Sequence, residues 1–515
     1  MPDLDELDPR MPVLVGVGTA FDDVEAAELM IRAARRSGDD TTVPVVLERV
    51  QRIAVPRGTW AYTDPGRLVA ESVGCAHATT VLTDLGIPQQ TLINDTLQEI
   101  AAGTIDVGLV VGAEAKARAA RTARRSTAAD ASGIAQVMGR RSGPEGGAEE
   151  TDQGGARADV HQQPVGEIVS QAEIDAGLWA PVEQYALIES SLGAAEGLTT
   201  SEHRREIADL WARFNQVART NPEAAFPEPM TVEGIAELGN GNRPLAFPYG
   251  KWHASQWTVD QGAALLFCSA AMAAELSIPR DRWVFPLVGL DSSFALPLTR
   301  RRDLHRWPAM RTLGEAAVDR IGRPLAECDH VELYSCFPVA VRVQQRELDL
   351  PREHTPTITG GMAFAGGPFN SFVLQATAAM ARRLRAEPGL GLVTTVSGLL
   401  TKPGLAVWSN RPDGEQPLIG DLGHVASGVT ASVEVLARYD GDASIVACTV
   451  TYSDSTPAEL VAILRTPGGA HLIGKSNDPA LLRRAVTAGL VGIRARVLGN
   501  EIVRTHEGSP FEPNA

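Results

Sequence analysis

Apolar residues in this chain follow strand and helix periods in turn, and the alternation occurs in two separate blocks. The run PVLVGVG (12–18) predicts a buried strand ending in glycine. DVEAAELMIRAARRSG (23–38) has apolar positions every three to four residues and closes on Arg-Arg-Ser-Gly, a helix and its C-terminus. A helix over 65–74, a strand over TVLTDLG (80–86), a helix over 89–102 and a strand over 105–112 follow. The second block opens at WVFPLVGLDSS (283–293) and predicts helix 308–321, strand HVELYS (330–335) and helices 337–349 and 371–386. Strands GLVTTVSG (391–398) and GLAVWSN (404–410) close it. Strands alternating with helices predict an α/β fold whose sheets carry helices on their faces. At 86–113 and again at 361–398, a glycine-rich approach leads into an amphipathic helix and then a strand ending at small residues, the pattern of an internal duplication.

Between the blocks, 116–258 reads as an inserted domain. It opens on the basic run KARAARTARR and passes through a Gly/Glu/Gln-rich stretch, 139–164, whose composition predicts mobility. Helical periodicity returns over 171–195 and 202–219. After Asn410 the period shortens: 428–441, 443–453, 459–467, 470–476 and 492–504 read as strands, with one helix at 479–490. Five short strands and one helix predict a small barrel of the OB type over 411–515. Tyr439 and Tyr452 are the only aromatics in its strands, so base stacking is not expected of it.

The 515 residues carry 47 Lys+Arg against 63 Asp+Glu, a net charge of −16, which argues against a general role on nucleic acid or anionic membranes. No apolar run is long enough for a membrane span, and the acidic N-terminus has no secretion signal, so the reading is cytoplasmic. Five scattered cysteines suggest neither disulfides nor zinc, and no metal site is expected.

Three short blocks carry a family resemblance. Tyr334-Ser335-Cys336-Phe337 stands where thiolases have Asn-Glu-Ala-Phe, or His-Asp-Cys-Phe in the sterol-carrier-protein type. Gly366-Gly367-Pro368 matches their Gly-His-Pro, and Val396-Ser397-Gly398 their Cys-x-Gly. QQTLINDTLQEIAAGTIDVGLVVGAEA (89–115) resembles the helix, Gly-x-x-Asp turn and strand that follow the nucleophilic cysteine. The chain thus resembles the thiolase superfamily over residues 10–410, in the mycobacterial type with an extra C-terminal domain. The resemblance implies a duplicated, layered αβαβα fold: an N-terminal half at 10–115, a loop domain at 116–258 and a C-terminal half at 259–410.

The same resemblance implies that the thiolytic residues are missing. By the family's spacing from Gly103, the nucleophile falls at Gly86, the activating histidine at Gly367 and the second cysteine at Val396. Glycine and valine side chains cannot attack, donate or accept. What remains is an acyltransferase-superfamily protein of lipid and acyl-CoA metabolism that binds CoA or acyl-CoA as its ligand. The family's loop domain implies CoA contacts for Ser255, Lys251, Phe337, Arg124 and Arg125. The basic run equally reads as a solvated helix face.

Tyr334 is the candidate catalytic residue. It resembles the tyrosine of thiolase-like steroid side-chain lyases, which implies retro-aldol cleavage of a β-hydroxyacyl-CoA; a packed aromatic is the other reading. A third reading makes the thiolase body a platform whose C-terminal domain docks a protein partner.

Overall fold

The computed structural model describes residues 7–126, 156–239 and 241–506, without the side chains of 123–126. Residues 139–155 of the stretch expected to be mobile lie outside the described residues. The rest of that stretch includes a short strand.

In the first half the strands are β1 (Pro12–Ala20), β2 (Arg52–Pro56), β3 (Thr79–Thr83), β4 (Val107–Ala115) and β5 (Val160–Gln162). Two short strands, β6 (Pro244–Ala246) and β7 (Tyr249–Gly250), precede β8 (Asp260–Ser269). The second half contributes β9 (Phe285–Asp291), β10 (His330–Glu332), β11 (Leu390–Ser397), β12 (Lys402–Ser409) and β13 (Leu418–Asp421). One sheet runs β1-β8-β4-β2-β3-β5 and the other β10-β11-β12-β9-β13.

The duplication is visible in the pairing. Both β1-β8-β4-β2 and β9-β12-β11-β10 have two antiparallel junctions followed by a parallel one. The helices Gln89–Ala101 and Phe372–Ala386 each contact both sheets and form the layer between them. Ala26–Asp40 covers the first sheet from outside and Pro308–Ile321 the second, which completes five αβαβα layers.

Where a helix is buried between two sheets, its polar residues need internal partners. On Gln89–Ala101, Thr91 and Asn94 find Asp291 of β9, at 2.6 and 2.7 Å.

Some elements depart from the sequence reading. The strand expected over 330–335 stops at Glu332, because Tyr334 and Ser335 bond to side-chain and loop partners instead of a ladder. The single helix read over 171–195 is two, Gln171–Asp175 and Pro181–Ala195, divided by Gly177 at φ +76° and by Pro181, which starts the second. The segment 428–441 is not a strand: a helix, Gly423–Val429, precedes it, and Ser432 and Val435 make only isolated bridges.

The C-terminal strands are β14 (Gly441–Ser453), β15 (Thr456–Arg465), β16 (His471–Ser476), β17 (Arg494–Leu498) and β18 (Glu501–Thr505). The run read as one strand over 492–504 is therefore a hairpin, turned at Gly499 and Asn500, which both have positive φ. Pairings β14–β15, β15–β16, β16–β18, β18–β17 and β17–β14 close a five-membered ring, and the helix Pro479–Thr487 lies between its third and fourth strands. A branch of β14 also pairs with β6 at Thr451 and Ala246, tying the ring to the return from the loop domain.

Candidate functional site

The two inner helices bring their N-termini together. Gln89 Nε2 donates to Asn370 Oδ1 at 2.9 Å, and Val373 N–H donates to Gln89 Oε1 at 3.3 Å. The Gln89 side chain thus takes up one of the helix-end amides that could otherwise face a ligand oxyanion.

Tyr334 packs beside this junction, its ring edge-on to Phe372 at 5.9 Å, with Gln89 as a hydroxyl partner. Its backbone is pinned on both sides, N–H to Thr394 Oγ1 at 2.9 Å and carbonyl from Gln344 Nε2 at 2.8 Å. Burial, reinforced by Cys336, raises the hydroxyl's pKa well above that of an ordinary phenol. It is a proton donor in this setting and a poor base.

Gly86 sits two residues ahead of the helix N-cap, Pro88, at φ +97°. That backbone disfavours any side chain, and a Cβ there would lie 2.8 Å from Ile168 Cδ1 and 3.2 Å from Pro164 Cβ. Ile168 also covers the third block, 3.1 Å from where a Cβ on Gly398 would stand. Gly367 is filled from another side: a Cβ would fall 1.9 Å from Ser255 Oγ and 3.2 Å from Met362. Val396 is a buried β11 residue opposite Pro403.

Ser255 is held against two of the blocks, since its N–H donates to Cys336 O at 2.9 Å and Gln256 O accepts from Gly367 N–H at 3.0 Å. Phe337 stacks on Tyr185 at 4.6 Å and meets Tyr249 at 5.3 Å, so it joins the core to the loop domain. Burial pushes the neighbouring Cys336 thiol up to about 12, leaving it unreactive at neutral pH.

Lys251 Nζ lies 4.4 Å over the Trp252 ring. Within the basic run, Arg121 pairs with Asp23 and Asp260 at 2.7 and 2.6 Å, and Lys116 sits 3.1 Å over the Trp257 ring, its pKa lowered to about 8 by burial. The side chains of Arg124 and Arg125 lie outside the described residues. Among the described residues no His/Cys/Asp/Glu cluster could hold a metal ion, and no helix is long and apolar enough to cross a membrane. A groove of about 1050 Å³ lies elsewhere, between Gln171–Ala176 and C-terminal residues such as Lys475 and Asn500.

Sequence reasoning missed Lys402. It opens β12 and is 1% exposed, and its Nζ donates to Gly86 O at 3.1 Å and Val165 O at 2.7 Å. The available signal was a lone lysine entering the apolar strand KPGLAVWS.

Neither a family model nor a curated protein sequence matches the chain. Solved structures do. A monomeric SCP2-thiolase-like protein type 1 from Mycobacterium smegmatis superposes with a TM-score of 0.79 at 26% identity, over 96% of this chain and 99% of that one. The dimeric peroxisomal thiolase of Saccharomyces cerevisiae gives 0.52 at 14% identity, over 79% of this chain and 99% of its own. Human mitochondrial 3-ketoacyl-CoA thiolase gives 0.54 at 15%, over 78% and 99%. Its duplicated fold and its full-length likeness give this chain a thiolase-like fold, similar throughout to an SCP2-thiolase-like protein.

Proposed function

We propose that this protein binds coenzyme A or acyl-CoA, within lipid and acyl-CoA metabolism, and does not perform thiolysis. The observation that carries the reading is the filling of the positions that match the family's reacting side chains. Ile168 and Pro164 stand against Gly86, and Ser255 and Met362 against Gly367. Claisen-type thiolysis needs a thiolate and bases where these glycines lie. For the binding half, support comes from neighbours whose names place them on CoA thioesters and from Ser255 remaining beside Gly367.

Calorimetric titration with CoA and octanoyl-CoA tests the binding, and acetoacetyl-CoA with CoA tests the chemistry. Saturable binding with turnover at least about ten-thousandfold below an ordinary thiolase is expected. Turnover near that of a thiolase, or no heat with either ligand, refutes the reading.

A retro-aldol lyase is the second reading, and an aldolase, Ltp2-ChsH2(DUF35), is among the structural neighbours at a TM-score of 0.54. It rests on Tyr334, whose hydroxyl stays protonated and could hydrogen-bond the carbanion formed as the Cα–Cβ bond breaks, while a separate base takes the β-hydroxyl proton. The docking reading draws on the C-terminal ring of strands, with a protein as its partner.

A further inference from the structure

Lys402 is a feature of this centre that neither packing nor the proposed loss of thiolysis explains. A buried ammonium is costly unless an anion meets it. Its two hydrogen bonds go to neutral main-chain carbonyls, and among the described residues no carboxylate pairs with it. The acid that acts on it electrostatically is Asp421, which makes no hydrogen bond or ion pair to Lys402 and whose Oδ1 accepts the N–H groups of Ser293 and Gly423, at 3.1 and 2.6 Å.

The two carbonyls differ in how easily they can be replaced. Gly86 O belongs to the turn that leads into the buried Gln89–Ala101 helix. Val165 O belongs to an irregular surface strap, 163–169, and the Val165 side chain is 63% exposed. Lifting that residue gives up little apolar burial. Ile168, on the same strap, is what covers Gly86 and Gly398. Moving the strap therefore uncovers the glycine-lined centre and frees a donor of Lys402 in one step.

The geometry points to a binding site for an acyl-CoA whose acyl group ends in a carboxylate, with that carboxylate taking the place of Val165 O on Lys402. The inference rests on the proposed binding of CoA thioesters and names their class. It answers the charge at Lys402, since a carboxylate turns a neutral hydrogen bond into a charge-assisted one.

The test uses the full chain and three ligands: CoA, butyryl-CoA and succinyl-CoA. The two thioesters share a four-carbon acyl chain and differ by the terminal carboxylate. Calorimetry is expected to show succinyl-CoA binding about tenfold or more tighter than butyryl-CoA, the scale of one charge-assisted hydrogen bond. Lys402→Met should abolish that preference. Equal affinities in the unaltered protein, with CoA still bound, overturn this inference and leave the proposed function standing. No binding by any of the three overturns both. A preference that survives in folded Lys402→Met also overturns it. If that variant fails to fold, acetylation of Lys402 by acetic anhydride, read by peptide mass, decides the matter: protection by succinyl-CoA and not by butyryl-CoA supports the site, and equal protection overturns it.

Discussion

His253 ends the short turn Lys251–His253 that carries the chain to Ser255, and it is buried in its neutral form. Its Nδ1 accepts the Gly250 N–H at 3.0 Å, and its ring lies 5.9 Å from Tyr249. Burial lowers its pKa from 6.5 to about 4; the Arg204 charge adds to this and the Glu189 charge opposes it. The unfolded chain takes up a proton near the ordinary value, so the folded state loses stability as pH falls from 6.5 through 4. Linkage over that interval amounts to about 2 kcal/mol at pH 5 and about 3 kcal/mol at pH 4, relative to neutral pH. His253→Asn keeps an acceptor where Nδ1 stands and removes the titration. Urea unfolding of both proteins at pH 7 and pH 5 should show the variant losing about 2 kcal/mol less than the parent across that step. Equal losses would refute the assignment of a buried neutral histidine. The difference between proteins matters because raised carboxyls, such as Glu332 and Asp291, act in the opposite direction and cancel in the comparison.

Arg342 offers a second measurement. Its buried guanidinium meets Glu189 at 3.3 Å, Glu206 at 3.1 Å and Glu196 at still closer range, joining the helices of the loop domain to the core. Arg342→Met leaves Glu196 and Glu206 to Arg352, and Glu189 to His203 and Tyr249, so it should cost about 1.5–3 kcal/mol in urea unfolding; a loss under about 1 kcal/mol contradicts the network's role. The cysteines give a third. All five are buried, and burial raises Cys75 to about 11 and Cys328, Cys336 and Cys448 to about 12. A thiol-disulfide reagent at pH 8 should label none in the native protein and all five in urea; rapid labelling of a single native thiol would reveal a reactive cysteine after all.

The layered fold was legible because its elements are long and strongly periodic. Helix 308–321 falls on the residues the spacing picks out, and Gly74 ends the Pro65–Val73 helix in the left-handed conformation that its position suggests. Strands failed where strand-like runs flanked a short turn. RARVL and EIVRT each read as strand with only Gly499-Asn500 between them, so the hairpin read as one strand. The alternation in VEVLARY (433–439) is real but finds only a single bridge, Val435 to His471. At the centre, the absent side chains follow from spacing in one stretch of sequence. What fills the space does not: Lys402 reaches Gly86 across 316 residues, and Ile168 arrives from the loop domain. Such contacts are set by the closing of the two halves, which no local pattern encodes.

Filling of this kind changes what the missing residues mean. A glycine in place of a nucleophile would leave a cavity if nothing else had moved, and cavities are costly. Here neighbouring atoms occupy the space, so restoring a cysteine at Gly86 would have to displace Ile168 and accept a backbone at φ +97°. A histidine at Gly367 would have to displace Ser255. On the proposed function, loss of the reacting groups and closure of the centre are one packing arrangement. If the proposed binding holds, a CoA thioester either stops short of the centre or lifts the 163–169 strap, and in the second case its affinity is reduced by whatever holds the strap down. Among the described residues, the contacts that hold it include the Lys402 bond to Val165, Pro164 and Ile168 against Gly86, and the packing of Ile168 and Val169 on the core. Only the first has a charged partner, and so only the first gives a ligand of the right charge a way to win the exchange.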